Sequence, residues 1–260
     1  MRKLAEHGVE AHGFAAELTA ELGAALGGAL AGAYLHGSAA LGGWHADRSD
    51  VDLLFVTGDQ LTGALVASAA TALLSAAAGC PGRGLEVSVV TAAAAARPAP
   101  PWPFVLHVGT RDGAPVLYKG EERAGDADLL MHYVVCRAAG ITLAGPPPRT
   151  AIGPVDRQLV LAYLADELDW GLASAPESYA VLNACRALAY LRRGRIISKV
   201  EGGLAALAEG FGPPDVVRRA LDQQRAVLSE RAAGPGAVAF VREVQAALRA
   251  ELGDAGAAGP

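Results

Sequence analysis

The chain has 260 residues and a mass of 26.4 kDa, with 52% hydrophobic, 5% aromatic and 19% charged residues. So apolar a chain is not a disordered polypeptide, and its length allows two ordinary domains or one large one. The net charge of −5, from 22 basic and 27 acidic residues, provides no overall basic field for nucleic acid.

Residues Glu6 to Gly27 carry Val9, Phe14, Leu18, Leu22 and Leu26 at helical spacing and are expected to form a helix. Leu30 to Leu35 is a short apolar run that ends at His36-Gly37-Ser38, the pattern of a strand followed by a turn. Ser49 to Thr57 contains Val51, Leu53, Leu54, Phe55 and Val56 and reads as a buried strand. An Ala-rich helix comes next over Leu61–Ala78, then a turn at Cys80-Pro81-Gly82-Arg83-Gly84 and a strand over Leu85–Val90. The prolines of Arg97–Pro103 demand a loop. His107–Lys119 is expected to add one or two strands or a hairpin, and Asp126–Gly140 a helix.

Gly145-Pro146-Pro147-Pro148 then breaks the chain, and Pro154 suits the first position of the next helix. Beyond it every segment reads as an amphipathic helix: Val155–Leu172, Ser178–Arg192, Lys199–Leu207, Pro214–Glu230 and Ala237–Leu252. The tail after Gly253 is expected to fray. The composition shift places a domain boundary at 150, giving an α+β catalytic domain over 1–150 and a helical domain over 151–260.

Met1-Arg2-Lys3 is followed soon by Glu6, His7 and Glu10, so no secretory leader is expected. The longest weakly polar stretch, Leu61–Ala78, includes Thr62, Gly63, Ser68, Thr71 and Ser75 and fits a packed helix better than a membrane span. Cys80, Cys136 and Cys185 lie at no metal-ligand spacing and cannot all pair with one another, which points to a reduced, cytoplasmic setting. The six histidines are scattered without a His-x-x-x-His pair, so no zinc site is expected.

The chemistry concentrates around one segment. Asp50 and Asp52 stand two apart on an expected strand, so both carboxylates project from one face. Like charges so close raise one pKa unless a cation lies between them, and oxygen ligands of this kind suit Mg²⁺ with substrate phosphates. Gly37 lets the backbone approach a ligand closely. A short helix opened by Ser38 would aim N–H groups at a phosphate. Glu86 is an isolated acid at the start of the Leu85–Val90 strand; a place beside Asp50 and Asp52, as metal ligand or as base, would explain it. Asp-x-Asp alone is common at turns. The combination of Gly-Ser after a strand, the carboxylate pair and a later isolated acid is far more specific.

Gly37-Ser38, Asp50-Val51-Asp52 and Glu86 together resemble the signature of the nucleotidyltransferase superfamily related to DNA polymerase β. Within it the chain is similar to the aminoglycoside (3″)(9) adenylyltransferases. The similarity extends through Leu143-Ala144-Gly145-Pro146, Val181-Leu182-Asn183-Ala184-Cys185-Arg186 and Gly194-Arg195-Ile196-Ile197-Ser198-Lys199. The resemblance implies a polymerase-β-like domain with a mixed sheet, followed by an α-helical bundle, with the active site between them. It implies that Asp50, Asp52 and Glu86 hold Mg²⁺, with Glu86 also the general base. ATP is the implied co-substrate, with Gly37, Ser38, Ser49, Arg186 and Lys199 at the nucleotide. The implied acceptor is a cationic antibiotic, streptomycin or spectinomycin, contacted by Trp170, Asp169 and Glu177.

Trp170 looks like the family tryptophan associated with streptomycin. Gly171–Ser178 is shorter than the matching family loop, so Glu177 only approximates an acidic drug contact. A tryptophan expected after the Glu86 strand is replaced near Thr110, while Trp102, in the Pro-rich loop, reads as a hydrophobic plug. The expectation is a monomer that binds no nucleic acid and no membrane. Two other readings stay open: a nucleotidyltransferase acting on another small molecule or a protein, and a non-catalytic binding module of the same fold.

Overall fold

A computed structural model describes residues 8–111 and 113–257. The chain divides into two compact units between Val155 and Asp156, five residues beyond the boundary expected from composition.

In the first unit, helix α1 (Gly8–Leu26) leads into strand β1 (Leu30–Leu35) and the short helix α2 (Gly37–Ala40). Strand β2 (Val51–Thr57), helix α3 (Gly63–Ala77), strand β3 (Leu85–Thr91) and helix α4 (Ala92–Ala96) come next. The hairpin of β4 (Leu106–Arg111) and β5 (Ala114–Lys119) precedes helix α5 (Leu129–Ala139), strand β6 (Ile141–Ala144) and helix α6 (Pro148–Ala151). The six strands form one mixed sheet in the order β5-β4-β3-β2-β1-β6. Of its strand pairs, β2–β3 alone is parallel, because α3 crosses between those two strands.

Strand alternation decides which face does what. The odd residues Val51, Leu53 and Phe55 of β2, and Leu85, Val87 and Val89 of β3, are buried together with Leu18, Leu22 and Leu26 of α1 and Leu73 of α3. Asp52 and Glu86 therefore stand on the other face. At about 1.5–3 kcal/mol per large side chain, the covered face supplies much of the stability that fixes the sheet.

The second unit consists of helices α7 (Arg157–Ser174), α8 (Glu177–Arg193), α9 (Lys199–Glu209), α10 (Pro214–Gln224) and α11 (Pro235–Ala257). Its core joins Leu161, Leu168, Val181, Leu182, Val217, Leu221, Phe240, Val241 and Leu248. Caps set the helix limits. The Asp156 carboxylate accepts the Gln158 N–H at 2.7 Å, and the Ser198 hydroxyl accepts the Glu201 N–H at 3.2 Å. Gly194 and Gly210 end α8 and α9 in the left-handed conformation.

Several expectations are corrected. Strand β6 has no counterpart among the elements expected from sequence. Pro154 does not open a helix, since α7 begins after the Asp156 cap. The helix expected over Pro214–Glu230 stops at Gln224, and Ala226 takes a left-handed φ of 59°. Helix α11 continues past Gly253 to Ala257. The part of the α1 expectation before Gly8 and the last three residues lie outside the described residues.

Candidate active site

The turn after β1 brings the motif together. The His36 N–H donates to the Asp52 carbonyl at 3.0 Å, tying the turn to β2. Gly37 has φ +58°, and a Cβ there would lie 1.8 Å from Asp52 Oδ2. Glycine is required twice over, by backbone conformation and by space. The Ser38 N–H donates to the Asp52 carboxylate instead of standing open at the head of α2, which amends the expected phosphate cradle. The buried Ser38 Oγ has no hydrogen-bond partner among the described residues, so its hydroxyl is the part of this turn suited to a phosphate oxygen.

Parallel pairing sets Asp52 directly beside Glu86. Burial and the Glu86 charge, with a smaller push from Asp50, raise Asp52 to about 8 against the pull of His132 and the Ser38 N–H. Such crowding of carboxylates favours a cation among them. Asp50 lies just before β2 and is exposed, and its carbonyl accepts the Trp44 indole N–H at 3.2 Å. Asp50 and Asp52 offer oxygen donors of the kind a divalent cation takes, while among the described residues no group of three or more His, Cys, Asp or Glu is gathered to hold one.

Ser49 sits deeper than expected. Its hydroxyl accepts the His45 N–H at 3.1 Å and its carbonyl accepts the Arg83 N–H at 2.9 Å, so it shapes the loop that delivers Asp50.

Three histidines that sequence spacing left scattered surround Glu86. His132 on α5 places Nε2 3.1 Å from Glu86 Oε1, with the two side chains 12% and 30% exposed. Burial disfavours the Glu86 carboxylate, but the His132 charge and hydrogen bond outweigh it and hold Glu86 down to about 2. Burial likewise opposes charge on His132, yet Glu86 and then Asp52 raise it to about 9. The His36 ring lies 5.0 Å from that of His132, and burial together with the His132 charge lowers His36 to about 3. His107 Nδ1 faces Ser88 Oγ at 3.1 Å and Asp126 Oδ2 at 3.5 Å. Ser88 is wholly buried and both partners share one ring nitrogen, so this is no hydrolytic triad. A polar residue within the apolar run Leu129–Val135 was the available signal for His132, and one at the end of the β1 run for His36.

In the second unit, Trp170 is 51% exposed and meets Tyr179 edge-on with ring centroids 5.4 Å apart. Lys199 Nζ lies 4.1 Å over the Tyr179 ring, a cation–π contact. The Tyr179 hydroxyl donates to Glu167. Tyr179, absent from the sequence expectations, thus links Trp170 to Lys199. Arg186 donates from Nε to the Ile197 carbonyl at 3.0 Å and from Nη1 to Asn183 Oδ1 at 3.1 Å.

Glu177 and Asp169 are not brought to this group as open acids. Glu177 is fully buried, and its oxygens accept from Arg219 at 2.6 Å, Arg231 at 3.1 Å and the Gly234 N–H at 3.0 Å. That saturated carboxylate fastens the 229–234 segment to the start of α8, which corrects its expected role as a drug contact. Asp169 is bridged by Arg242 and Arg249, which neutralise the field it would offer a cation. Trp102 is buried, as a plug would be.

Among the described residues no helix is long and apolar enough to cross a membrane. Residues 156–243 match the family model described as the aminoglycoside adenylyltransferase C-terminal domain. A solved structure of spectinomycin adenyltransferase AAD(9) from Enterococcus faecialis, with ATP and spectinomycin, shares the fold with a TM-score of 0.62. It is 16% identical in sequence, with 90% of this chain and 97% of that chain covered. No curated protein matches the chain significantly. The second unit thus contains a stretch that matches this C-terminal domain family, and the chain shares the fold of the AAD(9) structure.

Proposed function

We propose that the chain transfers AMP from ATP to a hydroxyl of an aminoglycoside antibiotic, streptomycin or spectinomycin, with Mg²⁺, releasing pyrophosphate and conferring resistance. The observation that carries this reading is the in-register pair Asp52 and Glu86 beside the Gly37-Ser38 turn, with Asp50 next to it. The AAD(9) structure, solved with ATP and spectinomycin, and the domain match at 156–243 support the nucleotide and the acceptor class. The three cysteines at no pairing or metal-ligand spacing fit a reducing, cytoplasmic setting, and the acidic net charge argues against a nucleic-acid acceptor.

Asp50 and Asp52 would hold the Mg²⁺, which supplies charge neutralisation for the triphosphate. The Ser38 hydroxyl donates to a phosphate oxygen. Glu86 takes the proton of the acceptor hydroxyl as that oxygen attacks the α-phosphorus, and pyrophosphate departs with the electron pair of the broken P–O bond. His132 holds Glu86 below the ordinary carboxylate range, so Glu86 is ionised at neutral pH. Its proton uptake accompanies P–O bond formation, when the hydroxyl is far more acidic than in the free alcohol. Arg186 and Lys199 serve the nucleotide, as cations that stabilise charge on the phosphates. The exposed Trp170 offers an aromatic face to a cationic acceptor.

The test is pyrophosphate release with ATP, Mg²⁺ and each drug, alongside a drug mass gain of about 329 Da, the adenylyl increment of an in-line displacement. Asp52→Asn and Glu86→Gln should lose turnover and keep the fold. No pyrophosphate with either drug removes the drug assignment, and an unimpaired Asp52→Asn protein removes the site.

A further inference from the structure

The Glu86–His132 contact joins residues from β3 and α5 that only the tertiary fold brings together, with Nε2 3.1 Å from Oε1. It carries a cost that packing alone does not explain. His132 interrupts an apolar helical run, and its buried Nδ1 has no hydrogen-bond partner among the described residues. An apolar side chain at this position would bury no unsatisfied nitrogen. Costs of this kind, kept beside a reactive carboxylate, are expected where geometry serves chemistry.

We infer that His132 is a positioning residue: its Nε2–H holds Glu86 by Oε1, so that Oε2 is presented to the acceptor hydroxyl. A glutamate has three rotatable bonds, and a half-buried one without an anchor samples rotamers that miss the hydroxyl. Fixing one oxygen converts that search into a standing near-attack geometry. His132 touches neither nucleotide nor acceptor in this assignment and acts through Glu86. The inference rests on the adenylyl-transfer reading.

The experiment compares the full-length parent with His132→Ala, His132→Gln, Glu86→Gln and the double variant Glu86→Gln/His132→Ala. Pyrophosphate release gives kcat and KM, and thermal unfolding checks the fold. His132→Ala should lower kcat by about 10–100-fold, the scale of a lost orientation, with KM for ATP changed by less than about threefold. His132→Gln, whose amide can return an N–H to Oε1, should recover most of the loss. The double variant should be no slower than Glu86→Gln alone, since an anchor without its base has nothing to hold. A kcat for His132→Ala within about twofold of the parent overturns the inference, as does a Gln variant as slow as the Ala variant or a double variant whose losses multiply. Should the parent release no pyrophosphate, the functional reading fails by itself. The contact is then read without substrate, from the melting temperatures of the same proteins. Additive shifts overturn the anchoring of Glu86 by His132 as well, whereas coupled shifts retain that contact while the role towards the acceptor falls with the functional reading.

Discussion

Replacing Glu177 separates a structural acid from a drug contact. Its carboxyl is held down to about 2 by the Arg219 and Arg231 hydrogen bonds and the Gly234 N–H, which together outweigh the opposing effect of burial. Against the ordinary value of 4.5, that gap corresponds to about 3 kcal/mol of stability at neutral pH. Arg219 and Arg231 are partly exposed and can reach water, so screening trims the figure to about 2 kcal/mol. In Glu177→Gln the carboxylate's charge disappears, and one amide nitrogen must face donors it cannot satisfy. A depressed carboxyl fixes the sign. Its contribution is full above 4.5 and is lost as pH falls towards 2. Urea unfolding followed by circular dichroism should show Glu177→Gln less stable than the parent by about 2–3 kcal/mol at pH 7. The difference should shrink steadily below pH 4.5, while KM for the acceptor stays within about twofold. A variant that unfolds with the parent at pH 7, or one of parental stability whose acceptor KM rises tenfold or more, refutes the strap and restores the drug contact.

The other predictions concern the first unit and the exposed aromatic. Gly37→Ala places a methyl against the Asp52 carboxylate at a left-handed φ; it should abolish turnover and lower stability by about 1–3 kcal/mol, seen as a reduced melting temperature. Asp52→Asn should do the opposite to stability while also abolishing turnover. Asp52 is raised to about 8, so the folded state favours its protonated form, and the carboxylate erodes stability as pH rises from about 4 towards 8. The amide variant should therefore melt above the metal-free parent at pH 8 and lose that advantage near pH 4. A lower melting temperature for Asp52→Asn at pH 8 would falsify the crowded-carboxylate account. Trp170→Ala, at a half-exposed position, should leave stability within about 0.5 kcal/mol by denaturant unfolding and raise KM for the acceptor severalfold.

The parts of the fold legible in the sequence are those whose determinants lie within one short window. The runs Leu30–Leu35 and Val51–Thr57 declare strands because their apolar residues are contiguous, and the Gly37-Ser38 and Asp50-Val51-Asp52 motifs sit at their ends. The four-residue β6 is too short to carry a period, and only its pairing with β1 makes it a strand. The end of α10 at Gln224 has neither glycine nor proline to mark it. The path of the chain beyond it is settled by the Gln223 side chain donating to the Ser229 carbonyl and by the arginine strap.

The site shows the same division more sharply. Asp52 and Glu86 could be matched in advance because an isolated acid in an apolar strand needs a partner, and parallel pairing supplies it by setting Val51 opposite Leu85 and Asp52 opposite Glu86. The histidines at 36, 107 and 132 could not, since each needs a different piece of tertiary structure. The turn after β1 delivers His36, antiparallel pairing sets His107 opposite Ser88, and α5 swings His132 onto Glu86. Spacing rules for metal ligands test whether residues share one helix or loop, so they are blind to a cluster assembled from three elements. Glu177 errs in the other direction. Its place in an acidic stretch suggests an open anion, and only the return of Arg231 and Gly234 from more than fifty residues away shows that the charge is already spoken for. A charge seen in sequence is thus a statement about composition, and whether a ligand can use it depends on which partner reaches it first.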